Sequence, residues 1–211
     1  MARTRSAGYE DQREMILAHA AHLFARRGYP ATSMNQVAEA CGLSKATLYH
    51  YYRDKYSLLV SIADSHVSRL QALVSEVAAQ DLPPEQQMRE LIRRILIEYA
   101  DAQDAHRVLT EDVKFLEAED RERVIGKERE VVAGFARAVG MMHPELRQAL
   151  LATPLTMLLF GMINWMFTWM KADGELGYDA MAPIVADLFL GGLRAVQPPD
   201  KPSGAAALAP I

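Results

Sequence analysis

Two short helical segments within residues 32–59, joined by a tight turn at Gly42, constrain this chain more than any other feature of its sequence. Ser33 is placed to cap the first of them, which ends at Gly42, the residue best able to adopt the left-handed conformation that closes a helix. Ser44 is placed to cap the second helix, over residues 45–51. The pattern predicts a helix-turn-helix, a unit typical of sequence-specific DNA binding.

The second helix of this unit is predicted to present polar side chains to DNA. Leu48 and Tyr52 lie four residues apart and should face the core, which leaves the other side chains outside. Lys and Thr near the helix N-terminus can contact guanine and the thymine methyl group, and hydroxyl or imidazole groups can donate to phosphates. The first turn of the following helix also attracts an anion. The expected DNA-binding residues are Thr32, Ser33, Lys45, Ala46, Thr47, Tyr49, His50, Tyr51 and Lys55.

The same stretch resembles the TetR family of bacterial transcriptional regulators over about residues 9–60. Family members carry a pattern of the form A…LF…G…T…IA…AGVS…LY.HF..K..L. Tyr51 stands where the family often has His, and Tyr52 where it often has Phe. The residues in register are Ala20, Leu23, Phe24, Gly28, Thr32, Val37, Ala38, Cys41, Gly42, Leu43, Ser44, Leu48, Tyr49, Tyr51, Tyr52, Lys55 and Leu58.

The resemblance implies an all-α fold with a three-helix DNA-binding domain followed by a helical ligand-binding and dimerisation domain. The expected boundaries are 1–55 for the first domain, 56–196 for the second and 197–211 for a disordered tail. The charge distribution agrees, since residues 1–55 hold eight Lys or Arg against five Asp or Glu, while the whole chain has a net charge of −4. A basic N-terminal segment followed by an acidic remainder is consistent with DNA binding by the N-terminal segment.

Apolar periodicity predicts helices along the whole chain, and no strand pattern is visible. Beyond the helix-turn-helix, the predicted helices span about 9–27, 54–80, 85–102, 105–117, 120–139, 145–171 and 178–196. Residues 149–170 carry no charge, a length that could suggest a membrane span. Polar and small residues interrupt this run and its flanks lack clustered basic residues, so we expect a buried helix and no membrane association.

TetR-like proteins dimerise through their last two helices, which here correspond to 145–171 and 178–196. The small residues Gly191 and Gly192 would let two helices approach closely. Two-fold symmetry would place two recognition helices about 34 Å apart, one turn of DNA. We therefore expect a homodimer that binds double-stranded DNA at a palindromic operator.

The C-terminal part resembles the TetR-like regulators that respond to acyl-CoA thioesters, through Gly161–Trp165, Trp169, 174–176 and 187–193. That pattern commonly carries Arg near the position of Thr168. The expected effector-binding residues are Arg107, Phe115, Met162, Asn164, Trp165 and Trp169. Met, Trp and Phe at helical spacing are more often part of a core than of a ligand-binding wall, so core packing competes with this interpretation. The alternative is a repressor of an efflux operon that responds to drugs or aromatic compounds.

Several other classes of function lack their sequence signals. No nucleophile–base pairing, phosphate loop or cluster of metal ligands is visible, so we expect neither an enzyme nor a cofactor nor a metal site. Cys41 is the only cysteine and is expected in the core. The first residues are polar and basic, so a cytoplasmic protein is expected. Arg3 and Arg5 could add DNA contacts or belong to a solvated arm.

Overall fold

The computed structural model describes residues 7–170 and 176–198 of the 211-residue chain, and these form helices joined by short turns. The predicted all-α class is confirmed, with no strand in either described range. Arg3, Arg5 and most of the expected tail, residues 199–211, lie outside the described residues. The helices are α1 (Ala7–Arg27), α2 (Met34–Ala40), α3 (Lys45–Tyr51), α4 (Lys55–Ala78), α5 (Pro84–Asp101), α6 (Gln103–Asp112), α7 (Ala118–Met142), α8 (Pro144–Gln148), α9 (Ala152–Trp165) and α10 (Tyr178–Leu193), with 3₁₀ turns at Val113–Phe115 and Met166–Thr168.

The prediction of one long helix over residues 145–171 is wrong. The chain leaves helical geometry after α8, and Leu150 has a φ of +59°. Pro154 explains the break: a proline inside a helix removes a hydrogen bond and its ring collides with the carbonyl group four residues earlier, here that of Leu150. Proline is tolerated in a first turn, so α9 begins at Ala152, two residues before it.

The chain forms two compact units that interleave in sequence. The first contains Met1–Glu76 and Arg94–Val131, and the second contains Val77–Arg93 and Val132–Ile211. The first unit therefore holds the helix-turn-helix together with most of α4, all of α6 and the first half of α7. The division of function expected after residue 55 remains a prediction, because the boundaries of the two compact units fall at other residues.

Each unit has its own apolar core. In the first, Ile16 and Phe24 of α1 pack with Leu48 of α3 and with Leu58 and Leu59 of α4, all at most 1% exposed. Burying one such side chain stabilises the fold by about 1.5–3 kcal/mol. The same core contains Met34 and Val37 of α2, so it holds α1, α2 and α3 in a fixed arrangement.

In the second unit, the rings of Phe135 and Phe160 meet edge to face with centroids 5.0 Å apart. Met88 and Leu146 are fully buried in the same unit, and Phe189 is 6% exposed. Phenylalanine pairs at such angles contribute about 0.5–1.5 kcal/mol beyond the apolar area that they bury. The described part of α9 and α10 thus has a packed side as well as an exposed one.

Candidate nucleic-acid interface

The turn between α2 and α3 is built from local hydrogen bonds. Ser33 Oγ accepts the N–H of Gln36 at 3.3 Å, and Gln36 Oε1 accepts the N–H of Ser33 at 2.8 Å, which completes a capping box. Gly42 has a φ of +64°, as its position at the end of α2 predicts. The N–H of Leu43 then donates to the carbonyl of Ala38 at 2.9 Å. These contacts fix the direction in which the chain leaves α2.

The recognition helix α3 is capped and anchored as predicted. Ser44 Oγ accepts the N–H of Thr47 at 3.1 Å. Leu48 is fully buried and Tyr52 is 3% exposed, so both face the core. A helix of seven residues is marginal in isolation, and α3 therefore depends on this packing for its stability and its orientation.

The outer face of α3 is polar and accessible. Lys45, Ala46, Thr47, Tyr49 and His50 are all exposed. The Lys45 ammonium lies 5.8 Å from the centre of the Tyr49 ring, a distance at which a cation is attracted to the aromatic face. The face offers a cation, a hydroxyl, a phenol and an imidazole, groups that can donate to base edges and phosphate oxygens.

Thr32 does not belong to this surface, and the expectation that its side chain binds DNA is corrected. The residue is 2% exposed, and its hydroxyl donates to the carbonyl of Gly28 at 3.0 Å. Its backbone N–H donates to the carbonyl of Tyr29 at 3.3 Å. Both donors of Thr32 are therefore engaged in closing the turn between α1 and α2.

Lys55 is also held by the protein. Its ammonium donates to the carbonyls of Tyr29 at 2.8 Å and Pro30 at 3.1 Å, and lies 4.5 Å from the centre of the Tyr29 ring. An ammonium group has three donors, so one remains for a phosphate. Lys55 thus ties the start of α4 to the turn before α2, a role that the sequence pattern did not reveal.

The start of α4 carries a side-chain cap from Asp54. Asp54 Oδ1 accepts the N–H of Ser57 at 2.7 Å. The Ser57 hydroxyl donates to the Asp54 carbonyl at 2.8 Å and accepts the Asp54 N–H at 3.4 Å. Capping of this kind contributes about 1 kcal/mol to helix stability. It defines where α4 begins and so where Lys55 stands relative to α3.

Two residues of α1 that the sequence did not single out contact the C-terminal end of α3. The ring of Tyr9 stacks on that of Tyr51, with centroids 4.8 Å apart and planes inclined by 30°. Arg13 Nε donates to the Tyr52 hydroxyl at 3.3 Å. Tyr51, expected on the outer face, is consequently half-buried. The only signal in the sequence is that Tyr9 and Arg13 lie four residues apart.

Two protein-family models match the chain. Residues 16–62 match the model of bacterial regulatory proteins of the tetR family, and residues 81–193 match that of the tetracyclin repressor-like C-terminal domain. The chain belongs to the TetR family. It is thus a DNA-binding transcriptional regulator of the helix-turn-helix type, and α3 occupies the position of the recognition helix in this TetR-family fold.

Solved structures agree with this assignment. A TetR-family transcriptional regulator from Bordetella parapertussis is 35% identical, with a TM-score of 0.82, and the match covers 89% of this chain and 98% of that one. AibR, solved in complex with isovaleryl coenzyme A and operator DNA, is 26% identical with a TM-score of 0.72, covering 84% of this chain and 97% of AibR.

Curated relatives match over shorter stretches. The transcriptional repressor KstR2 of Rhodococcus jostii is 28% identical over 116 residues, which are 55% of this chain and 57% of KstR2. The first three such relatives are covered over only 38–60% of their own lengths.

The six expected effector-binding residues fall in different units. Arg107 and Phe115 belong to the first, where Arg107 pairs with Glu111 at 3.0 Å and the Phe115 ring lies 5.5 Å from that of Tyr29. The other four belong to the second unit and lie on α9 or just after it. Met162, Trp165 and Trp169 are 42%, 66% and 54% exposed, and Asn164 is half-buried.

A cleft of about 630 Å³ lies within the first unit, and none of the six residues lines it. Its walls come from α1, α4 and the turn between α5 and α6. His22 Nδ1 and Asp104 Oδ2 are 2.8 Å apart, which links α1 to α6 at the cleft. The lining of the cleft carries charges of both signs, from the acids Glu14 and Asp101 and the bases Arg26 and Arg69. The cleft therefore does not select an anion or a cation by charge alone.

Two buried histidines connect α4 to α6. His66 Nε2 and His106 Nδ1 lie 3.3 Å apart, and the residues are 0% and 3% exposed. The Tyr99 ring stacks on His106 with centroids 3.6 Å apart. Burial, with a smaller contribution from the neighbouring His66, lowers the pKa of His106 to about 3. The His106 imidazole is therefore neutral at physiological pH.

In the part of the chain that the structure describes, no three His, Cys, Asp or Glu side chains are grouped so as to hold a metal ion. None of the helices described there is both long enough and apolar enough to cross a bilayer.

Proposed function

We propose that this TetR-family regulator binds a palindromic operator as a homodimer, represses transcription from it, and is released by a small-molecule effector. The observation that carries the proposal is the outer face of α3, where Lys45, Thr47, Tyr49 and His50 are exposed on a helix whose inner face is buried. KstR2, a relative over about half of the chain, is named as a repressor, which supports that direction of regulation.

A homodimer is supported by the exposed side of α9 and α10. Leu158, Ile184 and Leu188 are 67%, 43% and 66% exposed, and a Cβ added at Gly191 or Gly192 would meet nothing within 4 Å. Apolar side chains grouped on one surface typically mark an interaction site. A second copy of the chain would cover this face, because a two-fold axis pairs the same patch on both subunits.

An acyl-CoA thioester is the effector class that we propose. The support is the likeness to AibR, whose structure contains isovaleryl coenzyme A, and the apolar residues Met162, Trp165 and Trp169 at the end of α9. Asn164 Oδ1 is buried there without a hydrogen-bond partner among the described residues, so an amide or hydroxyl donor of a ligand would satisfy it. The second candidate is a repressor that responds to drugs or aromatic compounds, which the same aromatic side chains also suit.

The operator is tested by gel shift of the purified full chain on DNA from upstream of its own coding sequence, at stated salt. Saturable binding to one palindromic site, outcompeted by that site and not by random DNA, is expected.

The dimer interface is tested by comparing Leu188→Arg with the control Met141→Arg, because Met141 is 51% exposed on α7, outside the proposed face. Analytical ultracentrifugation should show a dimer for the wild type and M141R and a monomer for L188R. A dimeric L188R would remove α10 from the proposed interface.

The effector is tested by adding isovaleryl-CoA, longer acyl-CoAs, free CoA, ethidium and salicylate to the operator complex. Release by a thioester and not by free CoA supports the acyl-CoA proposal. A coupling of 1–3 kcal/mol corresponds to about 5–150-fold weaker operator binding. Thioester binding should also weaken with salt, because its phosphates need Lys or Arg. Release by ethidium or salicylate alone would favour the second candidate.

A further inference from the structure

Side chains of α1 contact the C-terminal end of the recognition helix α3. Tyr9 stacks on Tyr51 with ring centroids 4.8 Å apart, and Arg13 donates to the hydroxyl of Tyr52 at 3.3 Å. The Arg13 guanidinium also lies 5.3 Å from the centre of the Tyr52 ring. Tyr9 and Arg13 are separated by one helical turn, so one face of α1 reaches Tyr51, the last residue of α3, and Tyr52, which follows it. We call these four residues the α1–α3 clasp.

The α1–α3 clasp also reaches a residue of the expected DNA surface. The ring of His50 stands edge-on to Tyr9 at 6.4 Å and to Tyr51 at 5.5 Å between centroids. His50 itself is exposed. Its imidazole is therefore packed on one side and open on the other, which restricts the directions in which it can donate to a phosphate.

The orientation of α3 needs such a contact. The helix has seven residues and is fixed at its start by the Ser44 cap and the turn at Gly42. In its middle, Leu48 is the buried anchor. At its C-terminal end, Tyr52 is 3% exposed and faces the core, and a tilt of α3 about these anchors would displace the side chains that must meet DNA. The stacked Tyr9 ring opposes that tilt.

Tyr51 is also one of the two positions at which this chain departs from the common family pattern, which often has His there. The larger phenol ring provides a flat surface, and Tyr9 is stacked on it at an inclination of 30°. Offset stacking of this kind is a preferred arrangement for aromatic pairs. The departure therefore has a structural counterpart in α1.

We infer that Tyr9 is a positioning residue for DNA recognition: by stacking on Tyr51 and flanking His50, it sets the angle at which α3 enters the major groove. The inference rests on the proposed operator binding. Tyr9 acts through α3, so its removal changes how well α3 fits DNA without removing a charge from the interface.

The test compares Tyr9→Ala, Tyr9→Phe and Ile16→Val in the 211-residue chain, with the same operator fragment used for the wild type. Loss of the stacked pair should weaken operator binding about 2- to 12-fold in Y9A. Y9F keeps the ring and should bind within twofold of the wild type. Ile16 is fully buried in the same helix and its truncation to Val is a control for lost stability alone.

Two further readouts separate positioning from general destabilisation. The slope of log affinity against log salt should be the same in Y9A and the wild type, because no phosphate-neutralising charge is lost. Nonspecific DNA should bind Y9A as it binds the wild type, so the ratio of specific to nonspecific affinity falls.

The outcomes are distinct. The inference is supported if Y9A binds the operator more weakly than the wild type, while Y9F and I16V bind it as the wild type does. Wild-type affinity in Y9A, or equal losses in Y9A and I16V at matched thermal stability, overturns it. Failure of the wild type to bind any upstream palindrome would instead count against the proposed function.

Discussion

The hydroxyl of Tyr56 donates to Asp120 Oδ2 at 2.7 Å and accepts the N–H of Glu117 at 2.9 Å, so that the start of α4 is bonded to the start of α7. The hydrogen bond from Tyr56 is the largest cause that holds the pKa of Asp120 below its usual value. Further along the same pair of helices, Lys127 donates to Asp64 Oδ1 at 2.7 Å. Helix α4 follows α3 directly, so these contacts join the start of α7 to the helix that comes immediately after α3.

Replacing Tyr56 by Phe removes this connection and leaves the ring in place. The free energy of unfolding, measured in urea, should fall by about 1–3 kcal/mol because two hydrogen bonds are lost, one to Asp120 and one from the N–H of Glu117. The release of operator by effector should also weaken, since α4 is less tightly joined to α7. Tyr49→Phe is a control for stability alone, because Tyr49 is 42% exposed; it is not compared in the operator-release measurement, since Tyr49 belongs to the expected DNA surface. An unchanged effector response in Y56F would show that α7 is not the route.

Lys45 and Lys55 should behave differently when each is changed to Ala. Lys45 is exposed on α3, so K45A should leave thermal stability unchanged and lower the salt-dependence slope of operator binding by about 1. Lys55 binds the carbonyls of Tyr29 and Pro30, so K55A should lower the melting temperature as well as operator affinity. Thermal melts beside salt titrations decide this, and equal melting temperatures for the two variants would contradict the assigned role of Lys55.

Thr32→Val tests whether the Thr32 side chain stabilises the fold and takes no part in DNA binding. The substitution keeps the shape of the side chain and removes a hydroxyl that is bonded to the Gly28 carbonyl at 3.0 Å. Stability should fall by about 1 kcal/mol, and the preferred operator sequence should not change. Thr47→Val should instead leave stability nearly unchanged and alter the preferred operator sequence. Thr47 is exposed on α3, and most surface substitutions alter stability by less than about 0.5 kcal/mol. A changed sequence preference in T32V, measured by binding selection, would restore Thr32 to the interface.

The buried His106 should make the protein sensitive to acid. Its folded pKa of about 3 lies below the ordinary value of 6.5, so the unfolded chain binds a proton that the folded chain does not. Stability is therefore full above pH 6.5 and falls as the pH drops toward 3, by at most about 1.4 kcal/mol per pH unit.

The expected result for His106→Gln is a flatter dependence of unfolding free energy on pH between about 6.5 and 4.5 than in the wild type. His19→Gln is the control, because His19 is exposed on α1. Urea titrations at several pH values provide the measurement. Parallel curves for the wild type and H106Q would mean that another group governs acid unfolding.

Features that depend on near neighbours in the chain were predicted well. The Ser33–Gln36 capping box, the left-handed Gly42 and the Ser44 cap all join residues at most three positions apart or concern a single backbone conformation. Such features are legible in a sequence because the interacting groups are spaced by helical geometry alone.

Contacts between distant segments were not predictable in this way. Lys55 lies 26 residues from Tyr29, and Tyr56 lies 64 residues from Asp120. Periodicity shows which face of a helix is apolar, but not which partner it meets. The break before α9 had a local cause in Pro154, and the apolar run around that proline obscured it.

The sequence by itself determined the all-α fold class, the helix-turn-helix and the polar outer face of α3, because caps, glycine conformation and apolar spacing act over a few residues. Only the tertiary structure decided that Thr32 is buried, that Lys55 is tied to Tyr29 and Pro30, and that Tyr9 supports Tyr51. Burial and long-range contacts arise when helices pack against one another, and which side chains then face each other depends on the angles between those helices.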